Sequence, residues 1–434
     1  MIDISVYLIM YLLVGNLTSV RSYQCRLLRR TALSILSSTS STSSTSSTSS
    51  TSSTSTSTST SSSIEFRNRE RNSHDEWFYS RDWNRCNTFW ENLISSSTSS
   101  LPSFIEGDNL YGITDIKLIH NAGVISGEFI SNDERYKKRK TYAMRIGYAG
   151  SKYIGYQQQK GSSYLTVEGD LKKLLGGVVY GAGRTDRGVS AISQVVCFIS
   201  GSRDLDKQKR DLQEQTEEQY YFNLVKNSDA VKEGRLKIFS CYRVPRKFNS
   251  RSSATWRRYL YLFPLKEGSY QYENHELDLD INFANKMLKE IEGKNLPYDA
   301  FTFGDSKDQG LGLRDLCTIY RGQVTVVDLN RGIENEKPCL AMCVELVGSR
   351  FLRRMVRILV GTLARESSMP IEERNVKLLH DICLSKDRTK TTVALPGESL
   401  CLSGVGYDHD DLAIYKFMPK VKLNEVMKSR DKTI

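Results

Sequence analysis

Residues 181–191 read G-A-G-R-T-D-R-G-V-S-A and set one carboxylate, Asp186, between two arginines in a glycine-punctuated turn. The β-branched run at 194–199 follows directly and predicts a strand. A tight loop before a strand presents its polar side chain instead of burying it. Arg184 and Arg187 lie close enough in sequence to favour the charged form of Asp186. An ionised, partly desolvated carboxylate is what a carboxylate nucleophile needs. A turn aspartate between two solvated arginines is the plain alternative.

Three more stretches carry polar chemistry. Residues 248–261, F-N-S-R-S-S-A-T-W-R-R-Y-L-Y, lead into a strand on which Arg257, Tyr259, Tyr261 and Phe263 share one face. Two tyrosines two residues apart form a platform on which a base can stack, and their hydroxyls can move protons. Tyrosines capping a core edge would read the same way. Arg350, Arg353, Arg354 and Arg357 fall at i, i+3, i+4 and i+7 and predict a basic stripe on a helix over 351–364. Four like charges without an interleaved acid repel, which points to an anionic partner over a solvated face. Residues 148–159, Y-A-G-S-K-Y-I-G-Y-Q-Q-Q, lack apolar periodicity and read as a binding loop that offers Tyr148, Gln157 and Gln159.

The elements that must position these groups begin at Thr141. Strands are expected at 141–148, 194–199, 237–244, 255–263, 318–327, 340–347 and 400–407, and helices after a Thr166 N-cap, at 277–291 and at 351–364. Strands and helices mix without strict alternation, which favours an α+β fold with a mixed, largely antiparallel sheet. The charged stretch 203–219 reads as an insertion. Residues 178–183 look like a strand entering the G-x-G of a dinucleotide fold. Asp186, however, occupies the last glycine position of that pattern and would face a pyrophosphate, and a strand follows where a helix is required.

Composition narrows the partner. The chain carries a net charge of +11, and residues 141–434 hold 46 Lys+Arg against 37 Asp+Glu, a net of +9. A basic folded region suits a polyanion. Nine cysteines and five histidines are dispersed, with no pair at metal-ligand spacing, so neither a zinc site nor a secreted disulfide framework is expected.

Before Thr141 the texture differs. Residues 6–14 are an apolar run too short to span a bilayer comfortably, followed by an Arg- and Ser-rich, acid-free segment to residue 63. Signal-like then transit-like sequence predicts a bipartite leader of plastid type; a mitochondrial address competes, with a cytoplasmic or nuclear protein as the alternative. The Ser/Thr tract at 37–63 has nothing from which to build a core. Trp77, Phe78, Trp83, Phe89 and Trp90 predict a short helical appendage of unassigned role within 64–140, and 416–434 form a basic tail.

Taken in this order, the four stretches resemble the TruA family of tRNA pseudouridine synthases. Residues 148–159 are similar to its Y-x-G-x-x-Y-x-G-W-Q-x-Q loop with Tyr156 for Trp, and 183–191 to its G-R-T-D-x-G-V-H-A signature with Ser190 for His. Residues 248–261 resemble F-x-x-R-x-S-A-x-x-R-x-Y-x-Y, and 351–363 resemble F-L-x-x-M-V-R-x-x-V-G-x-L. Residues 396–402 are similar to P-x-x-G-L-x-L, with Ser399 for Gly. The resemblance implies a pseudouridine synthase fold of two similar α/β halves, 141–264 and 265–415, around a basic cleft. It implies Asp186 as nucleophile, Arg184 holding the site and filling the gap of a flipped nucleotide, Tyr259 stacking on uracil with Tyr261 as fallback, and Arg357 pairing with Asp186. Leu400 would line the base pocket, and Arg187, Arg354, Tyr148, Gln157 and Gln159 would meet substrate. No metal or organic cofactor is implied, nor any stable membrane partner. The implied partners are the anticodon arm of tRNA and a second copy of the chain; a catalytically inactive RNA-binding protein on the same fold is the alternative.

Overall fold

The computed structural model describes residues 76–96, 117, 140–159, 161, 163–200, 216–302, 316–330 and 337–407. All belong to one unit of the chain, Ile64–Ile434. The leader and Ser/Thr tract, most of the charged stretch 203–219, and the basic tail lie outside the described residues; residues 217–219 of that stretch are helical instead of inserted loop.

The principal elements of the first half are α1 (Trp83–Ser95), β1 (Thr141–Tyr148), α2 (Val167–Leu175), β2 (Val179–Gly181), β3 (Ser190–Ile199), α3 (Glu217–Lys226), β4 (Leu236–Val244) and β5 (Ala254–Pro264). A hairpin, β6 (Glu267–Tyr272) and β7 (His275–Leu277), leads to α4 (Ile281–Lys289) and β8 (Asn295–Pro297). Then come β9 (Leu316–Asp328), β10 (Leu340–Gly348), α5 (Met355–Ser368), α6 (Leu378–Ser385) and β11 (Leu400–Tyr407).

One nine-stranded sheet runs β4-β1-β3-β11-β5-β10-β9-β8, with β2 added beside β3. The named strand pairs are antiparallel except β11 with β3, so the α+β expectation with a mixed, largely antiparallel sheet holds. The last strand, β11, returns to the middle and lies between β3 and β5. On the β3 edge opposite β1, β11 pairs Ser190 and Ala191 while β2 pairs Val196 to Phe198. The turn that carries Asp186 joins β2 to β3, so it emerges where β2 and β11 part, beside β5.

Alternation along the strands sends one set of side chains to each face. Tyr142, Ile146, Phe198, Tyr261 and Phe263 pack with Leu171 of α2, Tyr221 of α3, Met287 of α4 and Leu359 of α5. On the other side Cys86, Trp90 and Ile94 of α1 pack with Ile192, Leu260, Leu262, Cys343 and Cys401. The aromatic segment read as an appendage is therefore part of the core, and Trp90 is fully buried.

Side-chain caps set the helix starts. Thr166 Oγ1 accepts from Gly169 N–H at 3.2 Å, as its sequence context predicts. Asp280 Oδ1 accepts from Phe283 N–H at 2.9 Å, which starts α4 at Ile281 and leaves 275–277 to β7, not to the longer helix expected. The largest correction concerns α5. Arg354 adopts φ 61°, ψ 4°, a left-handed conformation that cannot continue a helix, so α5 begins at Met355 and not at 351. Arg350, Arg353 and Arg354 lie in the turn before it and only Arg357 rides on the helix. The expected one-face stripe does not form.

Tyr156 shows the cost of a polar atom in this core. It is buried against Gly181, and its hydroxyl has no hydrogen-bond partner among the described residues. Tyr156→Phe removes that unpaired group, and a rise of ~2–4 °C in the thermal midpoint, about 1 kcal/mol, is expected in a calorimetric melt. A lowered midpoint would show that the hydroxyl is satisfied in solution.

Candidate active site

The site starts from an irregularity in β3. Ile146 pairs with Gln194 but Tyr148 pairs with Ala191, so β3 carries one extra residue there. Gln194 itself keeps the alternation of Val196 and Phe198, on the face of Ile146, and the extra residue lies just beyond it. Gln194 meets the 181–189 turn: its Nε2 donates to Gly183 O at 2.7 Å and its Oε1 accepts from Gly183 N–H at 3.2 Å. Its Nε2 also reaches the Tyr148 hydroxyl, 3.4 Å away, which shares a hydrogen bond of 2.9 Å with Thr185 Oγ1. Both backbone groups of Gly183 and the side chain next to Asp186 are thus held from the sheet.

Arg257 grips the same turn from β5. It is half-buried, and its guanidinium donates to four carbonyls: Ala182 at 2.9 Å, Arg251 at 2.8 Å, Ala254 at 3.0 Å and Ser349 at 3.2 Å. Burial pulls its pKa down from the usual arginine value. On the far side of the turn three segments meet, two of them backbone against backbone and the third through the Glu398 side chain. A Cβ on Gly150 would lie 2.2 Å from Gly188 O, one on Gly397 would lie 2.5 Å from Arg187 O, and one on Gly188 would lie 2.6 Å from Glu398 Oε1. Gly188 has φ 81°, a conformation that glycine tolerates and other residues resist.

Within this frame Asp186 faces Arg357, with Nη1 3.8 Å from Oδ2 and the carboxylate side chain 35% exposed against 14% for the arginine. Arg357 is fixed in turn by donating from Nε to Leu395 O. Desolvation by burial pulls its pKa below the ordinary arginine value while Tyr261 and Asp186 act in the opposite sense. Tyr259 stands behind Gly183, where a Cβ would come within 3.4 Å of its hydroxyl. Burial is the main cause that pushes the Tyr259 phenol up to about 12, with nearby Arg257 opposing and Asp186 adding to the rise. The edge of Phe351 packs on the Tyr259 ring at a centroid distance of 5.0 Å. A carboxylate, a phenol kept neutral by burial and a fixed guanidinium therefore sit together.

The structure brings Asp186, Tyr259 and Arg357 into one place from three separate segments. It separates others. Arg184 and Arg187, expected to hold Asp186 ionised, have exposed side chains, and the ion pair of Asp186 is with Arg357, 171 residues away in sequence. Tyr148 and Tyr261 are buried instead of forming a surface for substrate; the Tyr261 hydroxyl donates to Pro396 O at 2.9 Å, so both brace the site from behind. Leu400 sits on the site face opposite Tyr261, and Leu402 lies opposite Tyr259. Gln157 and Gln159 are exposed on the loop after β1, and Arg354 is half-buried in the turn before α5. Ser190 is not in the site: its Oγ accepts from Gly150 N–H at 2.9 Å and ties that loop to β3. Gln194 and Phe351 escaped the sequence reading. Gln194 lies within a run that reads as an ordinary buried strand, and only its polarity among apolar neighbours marks it.

Exposed Arg184, Arg187, Arg251 and Arg350 surround these groups; Arg251 and Arg350 are close enough to act on the charge of Arg257. An aspartate paired with an arginine beside a buried phenol, rimmed by exposed cations, defines a carboxylate-centred site open to an anionic partner. Among the described residues no cluster of His, Cys, Asp and Glu is placed to hold a metal ion, and no helix is long and apolar enough to cross a membrane.

A family model described as tRNA pseudouridine synthase matches residues 300–408. The tRNA pseudouridine synthase A of Caldicellulosiruptor bescii is 30% identical over 275 residues, which are 61% of this chain and 98% of the relative. That of Thermosipho africanus is 30% identical over 237 residues, 52% of this chain and 84% of the relative. That of Borreliella burgdorferi is 28% identical over 281 residues, 62% of this chain and all of the relative. The chain belongs to the TruA family of tRNA pseudouridine synthases.

The Gln194 clamp supplies a direct check of the geometry. Gln194→Leu keeps the volume and strands Gly183 N–H and C=O, at a cost of about 1–3 kcal/mol in stability. A denaturant melt and a turnover assay should show that loss together with a fall of roughly tenfold or more in kcat, as expected for a displaced reacting group. Unchanged kcat would mean that Asp186 does not depend on the clamp.

Proposed function

We propose that this protein isomerises uridine to pseudouridine in the anticodon arm of tRNA, with Asp186 as the nucleophile. The observation that carries the reading is the Asp186–Arg357 pair beside the Tyr259 hydroxyl. Asp186 attacks the target nucleotide, and the N1–C1′ bond breaks. The base then turns and bonds to C1′ through C5, and the bond to Asp186 breaks to release the carboxylate. The C5 hydrogen leaves as a proton and N1 takes one up, so the atoms balance with no co-reactant. Arg357 faces the carboxylate and holds it in place for attack. Tyr259, held protonated by its burial, stacks on the uracil and relays a proton.

The target base must leave its stack, which costs a few kcal/mol. Contacts between the phosphates and Arg184, Arg187, Arg251 and Arg350 offset that cost, and Arg184 fills the space the nucleotide vacates. Gln157 and Gln159 meet the RNA from the loop after β1, and Leu400 with Leu402 lines the floor under the base. The anticodon arm and a homodimeric assembly rest on the family resemblance. An organellar address rests on the sequence of residues 1–63.

Tritium release from tRNA carrying 5-tritiated uridine in the anticodon arm tests the reading. Wild-type protein is expected to release label and Asp186→Asn to release none above background; label release by the variant would remove Asp186 from the chemistry. For the address, sequencing the mature N-terminus from the native organism should give a start downstream of the Ser/Thr tract. A mature protein that begins at Met1 would end that part of the proposal.

A further inference from the structure

The segment around α1 lies before the region that carries the family motifs, yet it is fastened at several points to what holds the catalytic turn. Its entry is anchored by Arg81, whose Nη1 donates to Pro264 O at 2.6 Å and whose Nη2 pairs with Asp278 at 2.5 Å, with the guanidinium between the Trp77 and Phe263 rings. Its far end is anchored by Lys237, which donates to Ser96 O at 2.7 Å. Between these ends Trp90, fully buried, donates from Nε1 to Ser399 O at 3.3 Å. One residue on, the half-buried Glu91 accepts from Ser151 Oγ and lies 3.9 Å from Lys152 Nζ.

Those two contacts fall on the segments that box in Gly188. Segment 150–152 presses on Gly188 and Val189 through Gly150, and segment 395–399 presses on Arg187 and Gly188 through Gly397 and Glu398. Segment 395–399 also receives the Arg357 Nε–H at Leu395 O and the Tyr261 hydroxyl at Pro396 O. It therefore touches the supports of both partners in the Asp186–Arg357 pair. Val189 N–H returns to Asp186 O at 3.2 Å, which closes the path to the carboxylate.

We infer that Trp90 is a positioning residue for the isomerisation, with Glu91 as its second grip: α1 fixes segments 395–399 and 150–152, and through them the separation of Asp186 and Arg357. The inference rests on the synthase reading of the site. A small displacement at a reacting group costs up to ~100-fold in rate without weakening binding, because the substrate contacts lie elsewhere. Trp90→Phe keeps most of the buried ring and removes the donor to Ser399 O. Ile94→Ala on the same helix, at Gly147 and away from both segments, is the control for lost packing.

Steady-state kinetics on tRNA and thermal melts of the full chain test this. Trp90→Phe is expected to lower kcat about tenfold with KM within twofold of wild type. Ile94→Ala is expected to lower the thermal midpoint by at least as much and to leave kcat unchanged at a temperature where both are folded. An unchanged kcat in Trp90→Phe, an equal fall in both variants, or an effect confined to KM would overturn the inference. If Trp90→Phe does not accumulate as folded protein, Glu91→Ala carries the same test: a threefold or greater fall in kcat supports the role, and wild-type kcat overturns it. Inactive wild type would sink the synthase reading itself, whereas an active wild type with unaffected variants sinks only the part played by α1.

Discussion

The close approach of three segments at Gly188 is the constraint on which the rest of the site depends. Gly150, Gly188 and Gly397 come from the end of β1, the Asp186 turn and the approach to β11; Gly150 and Gly397 press on the backbone of residues 187–189, and Gly188 lies against the Glu398 side chain. Where backbone packs on backbone, no side-chain rotamer can absorb a shift. Asp186, two residues from Gly188, inherits that stiffness. The topology makes the meeting possible: β11 enters the middle of the sheet and delivers 395–399 to the turn between β2 and β3.

Charge is arranged around this frame by a division of labour between two half-buried arginines. Arg257 spends its donors on four carbonyls and works as a staple, joining the catalytic turn to the 249–254 turn and the end of β10. A planar guanidinium with five N–H donors is the side chain that can do this. Arg357 gives one donor to a carbonyl and faces a carboxylate with another part of its fork. Burying a charge this far is costly unless it is paired and hydrogen-bonded, and each arginine meets that condition in a different way. The exposed arginines at the rim carry no such cost and remain available to phosphates.

Much of this was legible in the chain. Strand 400–407 appears with the bounds its alternation predicts, β1 likewise, and Thr166 caps α2 as expected. The local pattern of residues is enough for such elements because burial on one face and a side-chain cap act within a few residues. The departures share a different cause. The β3 bulge next to Gln194, the left-handed Arg354 that breaks the arginine stripe, and the burial of Trp90 each answer to a distant partner. Arg354 turns because the chain must bend between β10 and α5 while Phe351 packs on Tyr259. Periodicity at 350–357 suits a helix and contains no sign of that bend.

By itself the sequence determined which chemistry was on offer: one carboxylate in a glycine-rich turn, tyrosines on a strand, arginines in excess, and a family pattern across 148–402. The family pattern also implied Arg357 as the partner of Asp186; only the tertiary structure decided that the adjacent arginines do not share that role. Neighbours in sequence, Arg184 and Arg187, extend into solvent, and Arg357 arrives from a helix on the other side of the sheet's midline. The reason lies in placement: the side chains at 184 and 187 are exposed, while the fold brings the Arg357 guanidinium to 3.8 Å from the carboxylate.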